Sequence, residues 1–315
     1  MVQKGCRKGD AWGQANLSNM YFDGQGVEQS DTETLRWCRE SADQGFARGQ
    51  YSLGWLYHNG RGVGQDYVEA VKWYRKAAEQ GLTEAENSLG TMYYNGLGVA
   101  QDDVEAVKWY KKAAEWGNVH AQRNLGGMYR NGRGVAQDDT EAAKWYLKAA
   151  EQGNSDAQNS IGWQYATGRG VDKSLSEAIH WYTKAIKQKN AYAMYNVAEL
   201  YFAGDEGFDQ DYKEAKSWYE LAAHHDHNGA MYRLGQMYEN GNGVEQDHTE
   251  AVTWYQQGAL AGNSDAQTSL GYMYYHGYGI TKDEAEAIKW FKKAAAEGHQ
   301  TAINNLKNLG VTGYD

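Results

Sequence analysis

The densest cluster of possible metal ligands is a run of four consecutive polar residues, His224, His225, Asp226 and His227. Imidazole and carboxylate groups suit Zn²⁺ or Ni²⁺. However, the spacing matches no established zinc site, and the run falls at the turn after a predicted helix. We therefore interpret it as a solvated polar turn. Metal binding through His224, His225 and His227 is the weaker alternative, and no cofactor is expected.

Segments of the form Gly-x-Gly, such as Gly60-Arg61-Gly62 and Gly132-Arg133-Gly134, resemble phosphate-binding loops. Such loops follow a β-strand, whereas each of these segments lies between two predicted helices. Glycine readily takes the positive φ that ends a helix. These segments are therefore predicted to be turns.

Catalytic arrangements are not found in the sequence. There is no serine elbow, no Cys–His arrangement and no His-Glu-x-x-His spacing. Cys6 and Cys38 lie at different positions of the repeat described below, so we expect both thiols to be unpaired structural residues. We predict that the protein is not an enzyme.

Composition narrows the class of protein and partner. The net charge of −10 argues against sequence-independent binding of nucleic acid, which requires clustered Lys and Arg. No run of about 18 apolar residues is present to span a membrane. Proline is absent, as expected for a mostly helical chain. The 12 Trp and 25 Tyr residues suit thin layers in which a ring is buried and its polar tip reaches water.

Two residue series recur through the chain with the same period. The first is an apolar position that returns every 36 residues, with a single step of 37: Leu17, Leu53, Leu89, Leu125, Ile161, Val197, Leu234, Leu270 and Leu306. The second is a tryptophan: Trp37, Trp73, Trp109, Trp145, Trp181, Trp218, Trp254 and Trp290. Two series in phase predict eight repeats of two helices, which we call A and B.

Helix A carries the apolar residue, in most copies a glycine after it, and a tyrosine four positions on, as in Leu53, Gly54 and Tyr57. Glycine within a helix predicts a close approach by the neighbouring helix. A valine after the Gly-x-Gly turn is expected to return to the core.

Helix B is predicted to begin with a Ser or Asp followed three residues later by Glu, as in Asp66 and Glu69, which makes a capping box in all eight units. Ala three residues before the Trp lets the helices lie close together, and the Trp is expected to fill the space between them.

The segments Ala85-Glu86-Asn87-Ser88-Leu89-Gly90-Thr91-Met92-Tyr93-Tyr94-Asn95-Gly96-Leu97-Gly98-Val99 and Ala106-Val107-Lys108-Trp109-Tyr110-Lys111-Lys112-Ala113-Ala114 resemble the Sel1-like repeat. That family is related to tetratricopeptide repeats. The resemblance covers essentially the whole chain and implies an all-α, right-handed superhelical solenoid of α-hairpin repeats. It also implies an adaptor or scaffold role, without a catalytic site.

We expect one solenoid over residues 1–315, with repeats at about 10–45, 46–81, 82–117, 118–153, 154–189, 190–226, 227–262 and 263–298. Residues 1–9 align with the end of a helix B, which predicts the remnant of a preceding repeat and a trimmed start. Cytoplasmic, periplasmic and secreted locations therefore all stay open. Residues 299–315 are expected to form a capping helix and tail.

Repeat six departs from the pattern at three places. Its turn, residues 204–208, holds one extra residue, Ala198 replaces the helix A glycine, and Lys189 replaces the closing glycine before it. Functional distortion and drift are both possible explanations, and drift is favoured.

The positions two before, two after and five after the repeated apolar residue form one stripe on helix A, and they vary between repeats. In tetratricopeptide-like arrays helix A lines the concave groove, so we predict that this variable stripe binds the partner. Tyr, Trp and Arg, the residues most enriched in binding hot spots, are frequent in it. The predicted protein-binding residues are Tyr51, Trp55, His58, Tyr94, Arg123, Arg130, Trp163, Tyr195, Phe202, Tyr232, Tyr272 and Tyr275. The alternative is that some rings only bridge adjacent A helices.

Three functions remain for such a chain. The leading hypothesis is an adaptor that binds a protein or peptide partner in the groove. The second is a bacterial immunity protein that neutralises a toxic effector by direct binding, for which the acidic balance would suit a basic target. The third, a carbohydrate-binding or hydrolytic protein using its exposed aromatic rings, is weaker.

Overall fold

The protein is described by a computed structural model over residues 10–205 and 208–312. It is an all-α solenoid, as the repeat predicts. The α-helices in these residues are α1 Ala11–Asp23, α2 Asp31–Asp43, α3 Ala47–Asn59, α4 Tyr67–Glu79, α5 Thr83–Asn95, α6 Asp103–Glu115, α7 Val119–Asn131, α8 Asp139–Glu151, α9 Ser155–Thr167, α10 Leu175–Lys187, α11 Ala191–Ala203, α12 Tyr212–His224, α13 Asn228–Asn240, α14 His248–Leu260, α15 Ser264–His276, α16 Glu284–Ala296 and α17 Gln300–Asn308. No helix in this part of the chain is long and apolar enough to cross a membrane.

The chain divides into two compact units, residues 10–157 with 168–172 and residues 158–167 with 173–312. In the first unit each helix from α1 to α7 packs against the next. In the second, each helix from α10 to α16 does so, and α17 packs on α16. Odd-numbered helices up to α15 are the A helices of the repeats and even-numbered ones the B helices. The remnant helix expected at residues 1–9 lies outside the described residues.

The start of helix B differs from the predicted capping box in one half. The Ser or Asp side chain accepts the backbone N–H three residues on, as Asp66 does from Glu69 at 3.0 Å. The backbone N–H of that capping residue, however, donates to the carbonyl oxygen of the helix A tyrosine, at 2.9 Å from Asp66 to Tyr57. The prediction of a reciprocal box was therefore wrong, because the tertiary bond takes the donor that the glutamate would have accepted. Glu69 instead pairs with Lys72 at 2.5 Å.

This tyrosine–cap hydrogen bond occurs in all eight repeats. Its donors and acceptors are Ser30 and Tyr21, Asp66 and Tyr57, Asp102 and Tyr93, Asp138 and Tyr129, Ser174 and Tyr165, Asp211 and Tyr201, Asp247 and Tyr238, and Asp283 and Tyr274. It satisfies an orphan carbonyl at the end of helix A together with the donor at the start of helix B. The bond therefore closes every turn between the two helices.

The turn glycines have the predicted conformation. Gly60 has φ 67° and ends α3, and Gly62 has φ 70°. A Cβ at residue 62 would lie 2.6 Å from the carbonyl oxygen of Asp31 in the preceding repeat. The second glycine is therefore required both by φ and by this close approach. The valines after the turn, such as Val63, are half-buried against the core and do not reach its centre.

The close contact expected at the helix A glycine is made by the residue after the tryptophan. A Cβ at Gly54 would lie 2.8 Å from Cδ1 of Tyr74, and Tyr74 is buried. Trp73 is only half-buried, with the ammonium of Lys76 4.0 Å from its ring centre. The tyrosine therefore fills the space opposite the glycine. The tryptophans were expected to fill the space between the helices, and they do so to different extents, since Trp145 and Trp181 are buried.

Residues 30 apart join successive repeats. Near the turns, Arg61 Nε lies 2.8 Å from Asp31 Oδ1, and Arg133 contacts both oxygens of Asp103 at 2.8 and 2.9 Å. At the opposite helix ends, an exposed glutamine donates to a buried one through their amides, as Gln80 does to Gln50 at 2.8 Å.

Repeat six accommodates its irregularities locally. Asp205 and Phe208 exchange two backbone hydrogen bonds of 2.8 and 2.9 Å across the longer turn, whose residues 206–207 lie outside the described residues. Lys189 has φ 61° where other repeats close with glycine, and so does Asp226 one repeat later. The backbone of these two residues therefore adopts the left-handed conformation that favours glycine.

Candidate functional site

In the first unit the predicted stripe lies along α3, α5 and α7. Tyr51, Trp55, His58, Tyr94 and Arg130 are half-buried, and Arg123 is exposed. The site is therefore a row of partly accessible rings and guanidinium groups.

One ring of this row does connect neighbouring A helices. Trp55 of α3 meets Phe22 of α1 edge to face, with ring centres 5.3 Å apart. Asn124 similarly donates to Asn87 across α7 and α5 at 3.1 Å. The stripe thus has a structural role as well as an accessible surface.

Buried tyrosines of helix B also reach the stripe. The hydroxyl of Tyr110 donates to Thr91 Oγ1 at 3.1 Å, and a Cβ at Gly127 would lie 3.6 Å from the Tyr146 hydroxyl. Burial raises the pKa of Tyr110 to about 12, so its phenol is protonated at neutral pH. Sequence reasoning missed these hydroxyls. The sequence did contain a signal for them. The repeated glycine of helix A lies opposite the ring of the residue after the helix B tryptophan, as Gly90 lies opposite Tyr110.

The part of the stripe on α7 is cationic. Arg123 lies 3.8 Å from Asp156, and Arg130 donates to Asn131 at 3.4 Å. Arg133, which the sequence assigned only to a turn, lies 4.0 Å from the ring centre of Tyr94. Guanidinium groups beside aromatic rings can bind both an anionic group and a flat apolar one.

In the second unit the stripe contains a polar network. Both carboxylate oxygens of Glu199 accept hydrogen bonds from Arg233, each at 2.8 Å, and Glu199 also accepts from Tyr219. Tyr255 donates to Glu239 in the same way. Burial, and then the adjacent carboxylates, raise the pKa values of Tyr219 and Tyr255. These contacts hold the two acidic groups in defined positions.

Aromatic residues complete the predicted row in this unit. Trp163, Tyr195, Phe202, Tyr232 and Tyr275 are half-buried, and Tyr272 is exposed. Tyr195 stacks on His227 with ring centres 4.5 Å apart.

The end of the row carries rings that were not among the predicted binding residues. His276 stacks on Tyr278 at 5.3 Å, and Tyr278 stacks on His248 at 5.5 Å. Tyr272 lies 4.3 Å from His276. Tyr278 occupies the variable place in its Gly-x-Gly turn, a position we had treated as a turn residue only.

The structure separates the three weak metal candidates. His227 caps α13, its Nδ1 accepting the backbone N–H of Ala230 at 3.1 Å, while His224 is exposed at the end of α12. The ring centres of His224 and His225 are 5.6 Å apart, and the two ring planes meet at an angle of 65°. No group of three or more metal-ligating side chains converges within residues 10–205 and 208–312.

Cys38 is a buried free thiol, and Cys6 lies outside the described residues. Burial raises the pKa of Cys38 to about 11. It is therefore a neutral thiol at physiological pH, unlike the thiolates that act as nucleophiles.

Comparison with solved structures places the chain among repeat proteins of the same kind. A Sel1 repeat protein from Oxalobacter formigenes is 35% identical with a TM-score of 0.71, and the match covers 98% of this chain and 89% of that one. The protein c5321, a protective antigen present in uropathogenic Escherichia coli strains, displays an SLR fold. It is 34% identical with a TM-score of 0.65 over 99% of this chain and 75% of that one.

A more distant similarity shows the fold alone. Immunity protein Pa5087 from Pseudomonas aeruginosa is 20% identical with a TM-score of 0.50, over 70% of this chain and 83% of that one. Among curated proteins the sequence has no significant match.

The pattern of the Sel1 repeat matches the chain eight times. The matched segments are residues 13–46, 47–82, 83–118, 119–154, 155–190, 191–227, 229–263 and 264–299. Because these segments cover far more than half of the sequence, the chain belongs to the Sel1 repeat family.

Proposed function

We propose that this protein is an interaction scaffold that binds a protein or peptide partner along the variable stripe of its A helices. Sel1 repeats typically mediate protein–protein interaction and are generally not enzymes. The observation that carries the proposal is the division between repeated and variable positions. Repeated residues such as Leu53, Leu89 and Leu125 are fully buried, whereas the variable positions beside them are partly accessible.

This division separates stability from recognition. In a repeat array the recurring residues hold neighbouring helices together, so they can carry little information about a partner. The stripe instead offers a different set in each repeat, from Tyr51 and Trp55 to Arg123 and Arg130. Rings and arginines held by surrounding contacts lose little conformational entropy on binding, which favours their use as anchors.

The charges of the stripe indicate what a partner must present. Arg123 and Arg130 in the first unit favour anionic groups, while Glu239 in the second favours a cationic one. The net charge of −10 favours a basic partner at longer range.

The experiment uses affinity capture with mass spectrometry to obtain the partner, followed by calorimetry with purified proteins. Trp55→Ala, Arg130→Ala, Trp163→Ala and Tyr272→Ala are each compared with the parent chain. We expect at least two of them to weaken binding about tenfold or more, the size of a moderate hot spot. Circular dichroism and thermal unfolding verify that each variant folds.

Trp116→Ala is the matched control, because Trp116 is 80% exposed and lies at the end of α6, a B helix, and not on the A helices that carry the stripe. Its affinity should equal that of the parent. Unchanged binding in all four folded stripe variants, or an equal loss in Trp116→Ala, would reject the proposed surface.

The same complex distinguishes the other two functions. An immunity role, which the acidic balance favours, requires in addition that the stoichiometric complex abolish a toxic activity of the partner. Saturable binding of a glycan, or hydrolysis of one, without a protein complex would favour the third function.

A further inference from the structure

A cavity of about 240 Å³ lies between α1, α2 and α3. Its walls include Phe22, Trp55 and Leu56, and its floor includes Ser18, Thr34 and Cys38. Trp55 and the neighbouring lining residue Tyr51 belong to the variable stripe, so the cavity lies at the predicted binding surface.

The cavity exists because repeat one lacks a ring. In every later repeat the residue after the helix B tryptophan is a buried aromatic that packs on helix A: Tyr74, Tyr110, Tyr146, Tyr182, Tyr219, Tyr255 and Phe291. Cys38 occupies that position in repeat one. The thiol is shorter by a whole six-membered ring, and Ser18 stands where most A helices have the glycine that accommodates the ring.

The polar groups at the floor have partners of their own. Ser18 Oγ donates to the Thr34 carbonyl oxygen at 3.1 Å and lies 2.8 Å from Cys38 Sγ. Thr34 Oγ1 donates to the Ser30 carbonyl oxygen at 2.8 Å. Because the raised pKa of Cys38 keeps the thiol neutral, the floor presents no charge. A site whose polar groups are satisfied holds water weakly and favours an apolar occupant.

The walls fit an aromatic occupant in particular. The rings of Phe22 and Trp55 are edge to face, with an interplanar angle of 82°, so a third ring can contact a face and an edge at once. A dry cavity of about 150 Å³ is large enough for benzene. The 240 Å³ here therefore accommodates a phenol or phenyl ring with its methylene group.

We propose that the cavity at Cys38 is an anchor site for an aromatic side chain of the partner, which takes the place of the ring that repeat one lacks. The inference rests on the proposed function for the source of the ring. A partner segment lying on α3 would insert a Tyr or Phe side chain into the cavity, against the rings of Phe22 and Trp55. The opening is marked by Asn19, an exposed lining residue.

The first experiment tests the cavity without any partner. Ligand-detected NMR and calorimetry measure binding of p-cresol, the tyrosine side-chain analogue, to the full chain, with acetamide as a polar comparison. We expect saturable 1:1 binding of p-cresol only. The double variant Ser18→Gly with Cys38→Tyr restores the arrangement of the other repeats and should lose at least tenfold in affinity.

Ser18→Gly alone is the matched control, since it leaves the cavity open and should still bind p-cresol. Cys38→Met fills part of the space without a ring and provides a second blocked variant if the double variant fails to fold. Absence of saturable p-cresol binding to the parent chain, or undiminished binding to a folded blocked variant, would overturn the inference.

The second experiment repeats the partner titration with the blocked variants. A loss of tenfold or more supports an aromatic anchor from the partner, and unchanged affinity rejects it. The outcome is separable from the proposed function. If the blocked variants bind the partner normally while the stripe variants do not, the anchor site is wrong and the scaffold proposal stands.

Discussion

Gly54 of α3 and Tyr74 of α4 are in direct contact: a Cβ at residue 54 would lie 2.8 Å from Cδ1 and 2.9 Å from Cε1 of the ring. The same relationship recurs at Gly90 with Tyr110 and at Gly162 with Tyr182. It sets the distance between the two helices of a repeat. Where the ring is lost, at Cys38, the space it would have occupied becomes the cavity.

Gly54→Ala should destabilise the protein although alanine is the better helix former. Overpacking against a ring costs about 1–3 kcal/mol, and the helix propensity gain returns about 1 kcal/mol. We expect a net loss of about 1 kcal/mol in urea unfolding. In the Tyr74→Cys background, which copies repeat one, the same substitution should be neutral or stabilising. Equal losses in both backgrounds would show that the ring does not set the helix spacing.

Stability should depend on pH through His227. Desolvation by burial lowers its pKa below the ordinary value of 6.5, although Glu199 opposes the shift. Below pH 6.5 the unfolded chain therefore binds the proton more strongly than the folded one, so stability falls as the pH decreases.

His227→Asn tests this directly, since Asn118 and Asn190 cap the equivalent helices of other repeats. Urea unfolding at pH 7.5 and 5.5 should show a smaller pH-dependent decrease in the variant than in the parent. His225→Asn, which keeps the cap, should leave that decrease as it is. An unaltered decrease in His227→Asn would contradict the assignment.

Lys189→Gly and Asp226→Gly should each stabilise the protein. The left-handed conformation costs a side-chain residue about 1–2 kcal/mol, and glycine loses about 0.5–1 kcal/mol more entropy on folding. The net gain should be about 0.5–1 kcal/mol in chemical unfolding. Lys111→Gly, on the exposed face of α6, should instead cost about 1 kcal/mol. Destabilisation by the first two substitutions would mean that their side chains make compensating contacts.

Replacing Glu86 together with Trp116 should stabilise α5 and α6. Glu86 is fully buried at a position where most other repeats have glutamine, and its Oε1 lies 2.7 Å from Lys112 Nζ. Trp116 stands where Gln80 donates to Gln50. The double variant Glu86→Gln with Trp116→Gln should restore the amide pair and raise the free energy of unfolding by about 1–2 kcal/mol. Glu86→Gln alone should gain less, and a loss of stability in the double variant would contradict this account.

The period of the sequence was enough to predict the helices, because each helix is specified by local signals that recur eight times. Leu53 and its equivalents marked the core, and the turn glycines marked the helix ends. The partner of a backbone donor was harder to foresee. The glutamate of the capping box is close in sequence, whereas the Tyr57 carbonyl that accepts the Asp66 N–H becomes available only when the two helices pack.

The candidate site was predicted less completely. Variation between repeats identified Trp55 and Arg130, since a surface stripe can be read from spacing alone. It could not reveal the hydroxyls of Tyr110 or Tyr219, because those rings belong to the buried set. The cavity also escaped prediction. Cys38 stands where every later repeat has an aromatic residue. The volume that it leaves empty could be recognised only once those rings were known to be buried.

The hydrogen bond from the capping residue to the helix A tyrosine has a practical consequence for engineering. It spans nine positions in most repeats and ten in repeat six, where Asp211 still reaches Tyr201 at 2.8 Å. The extra residue is contained between the two ends of the bond, so the helices on either side keep their contacts. We therefore expect each such turn to accept a short insertion, such as a protease site, without loss of the helices on either side.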